Sequence, residues 1–173
     1  MYTRDIYNVV QKNMNEKAPS GTYNEQPGRV YWTKNNYYDN PKTKTVIQLT
    51  NGDEKGYQYS FNAVLTKKFD FGFTGSFGYT YTMAKDMTAN PGSSAASVWQ
   101  NNVAVNSLND PGVSYSLFST PHRLIANASY EVAYANMKTT VSLFYTGYQQ
   151  GRFSYTYSND MNGDGNYSDL MYV

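Results

Sequence analysis

Residues 71–83 read "FGFTGSFGYTYTM", and their side chains divide cleanly by parity. The odd positions hold Phe71, Phe73, Gly75, Phe77, Tyr79, Tyr81 and Met83; the even ones hold Gly72, Thr74, Ser76, Gly78, Thr80 and Thr82. Successive side chains of a β-strand point to opposite faces, so this run predicts a strand with one aromatic face and one small, polar face. The preceding stretch, residues 57–65 ("YQYSFNAVL"), repeats the pattern, with Tyr57, Tyr59, Phe61, Ala63 and Leu65 against Gln58, Ser60, Asn62 and Val64. Between the two lies "TKKFD" (about 66–70), short enough for a hairpin turn that keeps Lys67, Lys68 and Asp70 in water.

A second pair follows the same plan. "LIANASYEV" (124–132) places Leu124, Ala126, Ala128, Tyr130 and Val132 on one parity, with Asn127, Ser129 and Glu131 on the other. "AYAN" (133–136) makes the turn, and "MKTTVSLFYTG" (137–147) sets Met137, Thr139, Val141, Leu143 and Tyr145 against Lys138, Thr140, Ser142, Phe144 and Thr146. Alternation persists through Phe153, Tyr155 and Tyr157, which predicts a strand running on past residue 147. The pattern predicts an all-β fold of antiparallel up-and-down strands, with no helix period of comparable quality.

The connections are very unequal. Two are a few residues long, whereas those at about 11–44, 84–120 and 158–173 are long and rich in Asn, Ser, Gly, Pro and Tyr. Compact soluble domains rarely carry such loops, while outer-membrane barrels combine short periplasmic turns with long external ones. The apolar parity of all four strands lacks charge, and Glu131 and Lys138 sit on the opposite parity. Tyr57, Tyr59, Tyr79, Tyr81 and Tyr145 gather at the long-loop ends; Phe69, Phe71, Phe73 and Tyr130 gather near the short turns. Two aromatic belts suit the two interfaces of a bilayer, where a ring is apolar and a phenol hydroxyl wet. Residues 1–173 are therefore expected to form a fragment of a transmembrane β-barrel, with periplasmic turns at about 66–70 and 133–136 and the three long loops outside. An aromatic-rich soluble β-sandwich is the competing reading.

Composition narrows the partners. Charged residues make up 16% of the chain, against about 25% in typical soluble domains. The net charge of +1 offers no basic field for nucleic acid. With no Cys and one His, disulfides, thiolate–metal sites and His-rich metal sites are excluded. No run of about 18 apolar residues predicts a membrane helix, but a mean hydropathy of -0.67 is compatible with strands that are apolar at every second position. The opening "MYTRDIYNVV" has no basic region followed by an apolar run, so an exported protein of this kind is expected to be a fragment.

The order "GYQYSFNAVLTKKF", "GFTGSFGYTYTMAKD", "SSAASVWQNNVAVNSLNDP", "PHRLIANASYE" and "TTVSLFYTGYQQGRFSYTYSNDMNGDGNYSDLMYV" resembles the barrel region of TonB-dependent outer-membrane receptors. The subgroup it resembles carries an N-terminal carboxypeptidase-regulatory-like domain. The likeness covers about residues 44–173. It implies a 22-stranded barrel closed by a plug, which imports a bulky nutrient (an iron chelate, cobalamin, glycan or peptide) at the cell outer membrane. The implied partners are outer-membrane lipid, TonB, the extracellular nutrient and a surface lipoprotein. About five or six strands are too few to close that barrel, so the segment is not expected to transport by itself. The alternatives are a soluble β-rich module binding carbohydrate or peptide, or another outer-membrane barrel such as a porin or adhesin.

One motif raises a separate question. "SNDMNGDGNYSD" (158–169) opens like an EF-hand calcium loop, with Asp160 first, Asn162 third, Asp164 fifth and Gly165 at the turn. Position twelve, which should be a bidentate Glu, is Met171, and the sequence before the loop has a strand period. Asn162-Gly163 and Asp164-Gly165 therefore read first as polar turns, with Asp160, Asn162, Asp164 and Asp169 as candidate Ca²⁺ ligands and no other cofactor expected. Trp99 and Tyr115, in the 84–120 loop, read first as loop packing, and are the candidate aromatics for stacking on a sugar or contacting a peptide ligand. His122, in "TPHRL", lacks a nucleophile at triad spacing, so a structural role is expected and no enzymatic activity.

Overall fold

The structure, a computed structural model, describes residues 1–33, 36–38 and 45–171. Among these, ten strands and one helix follow in order: β1 (Tyr2–Arg4), β2 (Val9–Asn13), β3 (Gly21–Thr22), β4 (Val30–Tyr31), β5 (Ile47–Asn51), β6 (Tyr57–Lys68), β7 (Phe73–Asp86), α1 (Ala95–Asn101), β8 (Ser114–Tyr115), β9 (His122–Tyr134) and β10 (Met137–Tyr148). They form two compact units. The first is built from Met1–Thr3, Gln58–Ala84 and Phe118–Arg152, the second from Arg4–Tyr57, Lys85–Leu117 and Phe153–Val173.

The first unit is mostly one antiparallel sheet, in the order β1-β6-β7-β9-β10. Its register keeps the parities of the sequence together. Phe73, Gly75, Phe77 and Tyr79 of β7 lie opposite Tyr130, Ala128, Ala126 and Leu124 of β9. Those β9 residues in turn face Val141, Leu143, Tyr145 and Gly147 of β10. Directly opposed residues project to the same side, so three strands build one continuous apolar face. Tyr59 joins it from β6, with its ring 6.1 Å from Tyr81. The other face carries Thr74 opposite Ser129 and Ser142, and Lys138 bonded to Glu131 at 2.9 Å.

Turn chemistry trims the predicted boundaries. β6 continues to Lys68, so the first turn spans 69–72 rather than 66–70, and Phe71 lies in it rather than in a strand. Gly72, with φ +91°, supplies the left-handed residue that the turn requires. The second turn narrows to Ala135 and Asn136, closed by the Tyr134–Met137 pair. The extension of the last strand to Tyr157 does not form. β10 stops at Tyr148 because its partner β9 starts at His122, directly after Pro121, which has no N–H to continue the ladder.

The second unit is assembled from the segments read as loops. β2 pairs with β5 from Val9↔Asn51 to Asn13↔Ile47, and β3 with β4. Helix α1 was not expected from the sequence; Ser94 and Ser97 nucleate it with a reciprocal capping box. The buried hydrophobic residues Val10, Trp32, Met87, Val98, Trp99, Ala104 and Leu108 all lie in this unit. The long connections are thus a folded body with its own core, not structureless loops; residues 34, 35, 39–44, 172 and 173 of the expected loops lie outside the described residues.

Candidate functional site

The acidic loop folds around its own side chains. The Asp160 carboxylate accepts hydrogen bonds from the N–H groups of Gly163 (2.6 Å) and Gly165 (2.8 Å). Asn162 Oδ1 accepts from the Asp164 N–H at 2.9 Å, and Asp164 Oδ1 from the Asn166 N–H at 2.7 Å. Such bonds to the backbone a few residues on are what Asn and Asp bring to turns. Gly163 and Gly165 take φ of +81° and +86°, so the polar-turn reading of both Gly dipeptides matches the backbone.

The surroundings differ from those of a solvated turn. Asn162, Asp164, Asn166 and Asp169 are buried. The Trp32 N–H donates to the Asn162 carbonyl at 2.7 Å, Tyr23 Oη to the Met161 carbonyl at 2.8 Å, and Tyr37 Oη to the Asp164 carbonyl at 3.1 Å. Asn36 Nδ2 also donates to that carbonyl. The segment around β3 and β4 therefore cradles the loop, although more than a hundred residues separate the two along the chain.

Two charged residues that sequence reasoning missed complete the arrangement. Arg29, with 0% of its surface exposed, lies 3.7 Å from Asp169, donates to the Leu170 carbonyl at 2.9 Å, and stands over the Tyr157 ring at 5.3 Å. Asp169 is thus drawn to an arginine and also accepts from the Met161 N–H at 2.8 Å. Glu16, 8% exposed, has both carboxylate oxygens buried and without a hydrogen bond. No spacing rule ties Arg29 or Glu16 to the 158–169 motif, so nothing local in the sequence could have found them.

Electrostatics follow from burial. Desolvation, with the like charge of Asp164 behind it, raises Glu16 from its ordinary 4.5 to about 8. The nearby Ser107 hydroxyl acts in the opposite direction but forms no hydrogen bond of regular geometry with either oxygen. Asp164 rises from 3.8 to about 6, mainly through burial, with Asp169 and Asp160 adding repulsion and the Asn166 N–H offsetting part. Burial also lifts Asp169, against the pull of the Met161 N–H and Arg29. Tyr37 is raised by burial and then by Asp164 and Glu16. Among the described residues no three Asp, Glu or His side chains converge as a ready metal cluster.

The candidate aromatics fall in two settings. Trp99, on α1, is 2% exposed, packs with Ala104 and Leu108, and donates through Nε1 to Asn109 Oδ1 at 2.9 Å. It fills a core and offers no open ring face. Tyr115, on β8, is 44% exposed, with Lys85 Nζ 4.8 Å from its ring centre. His122 opens β9 on the apolar face of the sheet, where Nδ1 lies 2.7 Å from Tyr79 Oη and the ring contacts Tyr81 at 5.2 Å.

No protein-family model, curated protein or solved structure matches this chain, so its function is read from these residues and their geometry alone.

Proposed function

We propose that this chain is a segment of an outer-membrane β-barrel receptor of the TonB-dependent kind. The four long strands belong to the barrel wall, and the folded loop unit is external, facing a bulky nutrient. The observation that carries this reading is the uncovered apolar face of the sheet. Leu143 and Val141 are 71% and 68% exposed, and Phe61, Leu65, Phe77 and Tyr145 on the same face are exposed too. Burying a side chain of that size is worth about 1.5–3 kcal/mol, so a sheet with such a face needs a covering layer. No described residue of the first unit forms a buried hydrophobic core.

Lipid suits that face better than a second protein layer. A strand of 12 residues is about 40 Å long, and at a tilt of about 45° it crosses about 28 Å, close to the hydrocarbon thickness of a bilayer. Phe69 and Phe73, 5.7 Å apart, mark one end of β7, and Tyr79 and Tyr81 lie toward the other. The sheet is open, with β1 and β10 at its edges. In lipid the unpaired backbone groups of β10 need a further strand, which accords with a segment of a larger barrel that does not transport by itself. Outer-membrane lipid, TonB, the nutrient and a surface lipoprotein are the partners this reading entails.

The chain has no Cys, so single Cys substitutions at positions 141 to 145 can carry spin labels without background. In lipid vesicles, labels at 141, 143 and 145 should be accessible to oxygen and those at 142 and 144 to a water-soluble nickel complex. A chain that is a cooperatively unfolding monomer in detergent-free buffer, or labels without alternation in vesicles, would overturn the proposal in favour of a soluble binding module.

A further inference from the structure

Glu16 presents a physical problem that the fold leaves unsolved. Its carboxylate is buried, and among the described residues neither oxygen makes a hydrogen bond of regular geometry and no Lys or Arg forms an ion pair with it. A carboxylate so placed either holds a proton, the direction in which burial pushes it, or gives that proton up to coordinate a metal ion.

The direction of the side chain is set by the backbone. Glu16 lies opposite Tyr37 in an antiparallel bridge, so the two side chains project to the same side. Tyr37 reaches the Asp164 carbonyl on that side. Glu16 therefore points toward the 160–166 loop, where Asp164 is its like-charged neighbour. The buried guanidinium of Arg29 does not resolve the repulsion, because it is committed to Asp169 and to the Leu170 carbonyl.

We propose that Glu16 and the 160–166 loop form a Ca²⁺ site, in which Glu16 supplies the acidic ligand that Met171 cannot provide and Asp164 supplies the second. The donor set selects the class of ion. Glu16 and the 160–166 loop offer carboxylate, amide and backbone oxygens, the chain has no Cys, and its one His lies on β9 in the sheet. Hard cations take such ligands, and Ca²⁺ accepts six to eight of them in irregular geometry where Mg²⁺ demands a near-ideal octahedron. The Asn166 N–H takes one lone pair of Asp164 Oδ1 and the Asn162 amide one of Oδ2, which leaves each oxygen a further lone pair. Asp169 stays with Arg29 and takes no part. Unlike a helix–loop–helix site, this one draws its ligands from distant segments, and it does not depend on the membrane reading.

The test uses the full chain, stripped with EDTA and then titrated with CaCl₂ by calorimetry and thermal melting. Ca²⁺ should raise the melting temperature of the wild type, and MgCl₂ at the same concentration should raise it less. Glu16→Gln should weaken Ca²⁺ binding by about tenfold or more. In EDTA the same variant should melt no lower than the wild type, because it removes the cost of neutralising a buried carboxylate and breaks no ion pair among the described residues. If Asp164→Asn folds, it should weaken binding similarly; if it does not, Glu16→Gln decides. The proposal is overturned by an absence of heat and of a melting shift at millimolar Ca²⁺, by wild-type affinity in Glu16→Gln, or by a Glu16→Gln melt below the wild type in EDTA.

Discussion

Leu143→Arg tests the exposed face of the sheet most directly. Leu143 is the seventh of twelve residues in β10, opposite Ala128, which is opposite Gly75, so it sits at mid-strand. On an isolated sheet in water the side chain is already 71% exposed, and the substitution should cost no more than about 0.5 kcal/mol. At the middle of a lipid-facing band the same change costs about 2–4 kcal/mol. At roughly 1.4 kcal/mol per factor of ten, that lowers the folded-to-unfolded ratio by roughly thirty-fold to several hundred-fold. Ser142→Arg is the internal control, because Ser142 lies opposite Ser129 on the polar face and should cost about 1 kcal/mol or less. The assay is a urea titration of vesicle-reconstituted protein followed by circular dichroism, repeated in buffer. Equal penalties for the two variants, or a Leu143→Arg penalty that is the same with and without lipid, would refute the reasoning.

Other consequences concern the loop unit. The folded-state values of Glu16 and Asp164 are raised, so the folded protein holds more protons than the unfolded chain between about pH 4 and 8. Stability in EDTA should therefore fall as pH rises through that window, and Glu16→Gln should flatten the fall in melting temperature between pH about 4.5 and about 8. Removing Arg29 strands the buried Asp169 carboxylate, so Arg29→Met should cost about 3–5 kcal/mol in a urea melt. Asp169→Asn added to that variant should recover part of the loss. Gly163→Ala should destabilise more than Gly165→Ala, as measured by thermal melting. Both glycines have positive φ, but a Cβ at 163 would meet the Trp32 carbonyl, whereas at 165 the nearest atoms end the Tyr37 and Asn36 side chains, which can move.

The strands of the sheet were readable because their signal is local. Parity in 57–65, 71–83, 124–132 and 137–147 needs no knowledge of distant residues, and the register then places Phe77, Ala126 and Tyr145 side by side as parity demands. Errors gathered where the deciding group lay on another strand or in the turn itself. The alternation of Phe153, Tyr155 and Tyr157 extends no strand because β9 offers it no partner beyond Pro121. The capping box of α1 uses Ser97 at the position where Glu or Gln gives the recognisable signature. That Trp99 packs could be read from the sequence, but not what it packs against, because Ala104, Leu108 and Ile47 share no periodicity with it.

The sequence by itself determined an all-β chain of antiparallel hairpins with one apolar face, and the polar turns at Asn162-Gly163 and Asp164-Gly165, because period-two alternation and turn propensity act over a few residues. Only the tertiary structure decided that the long connections share a core, that Arg29 answers Asp169, and that Glu16 is buried facing Asp164 with no ion-pair partner among the described residues. The two charged pairings join residues more than a hundred positions apart, where chain proximity carries no information and the cost of burying charge selects what meets.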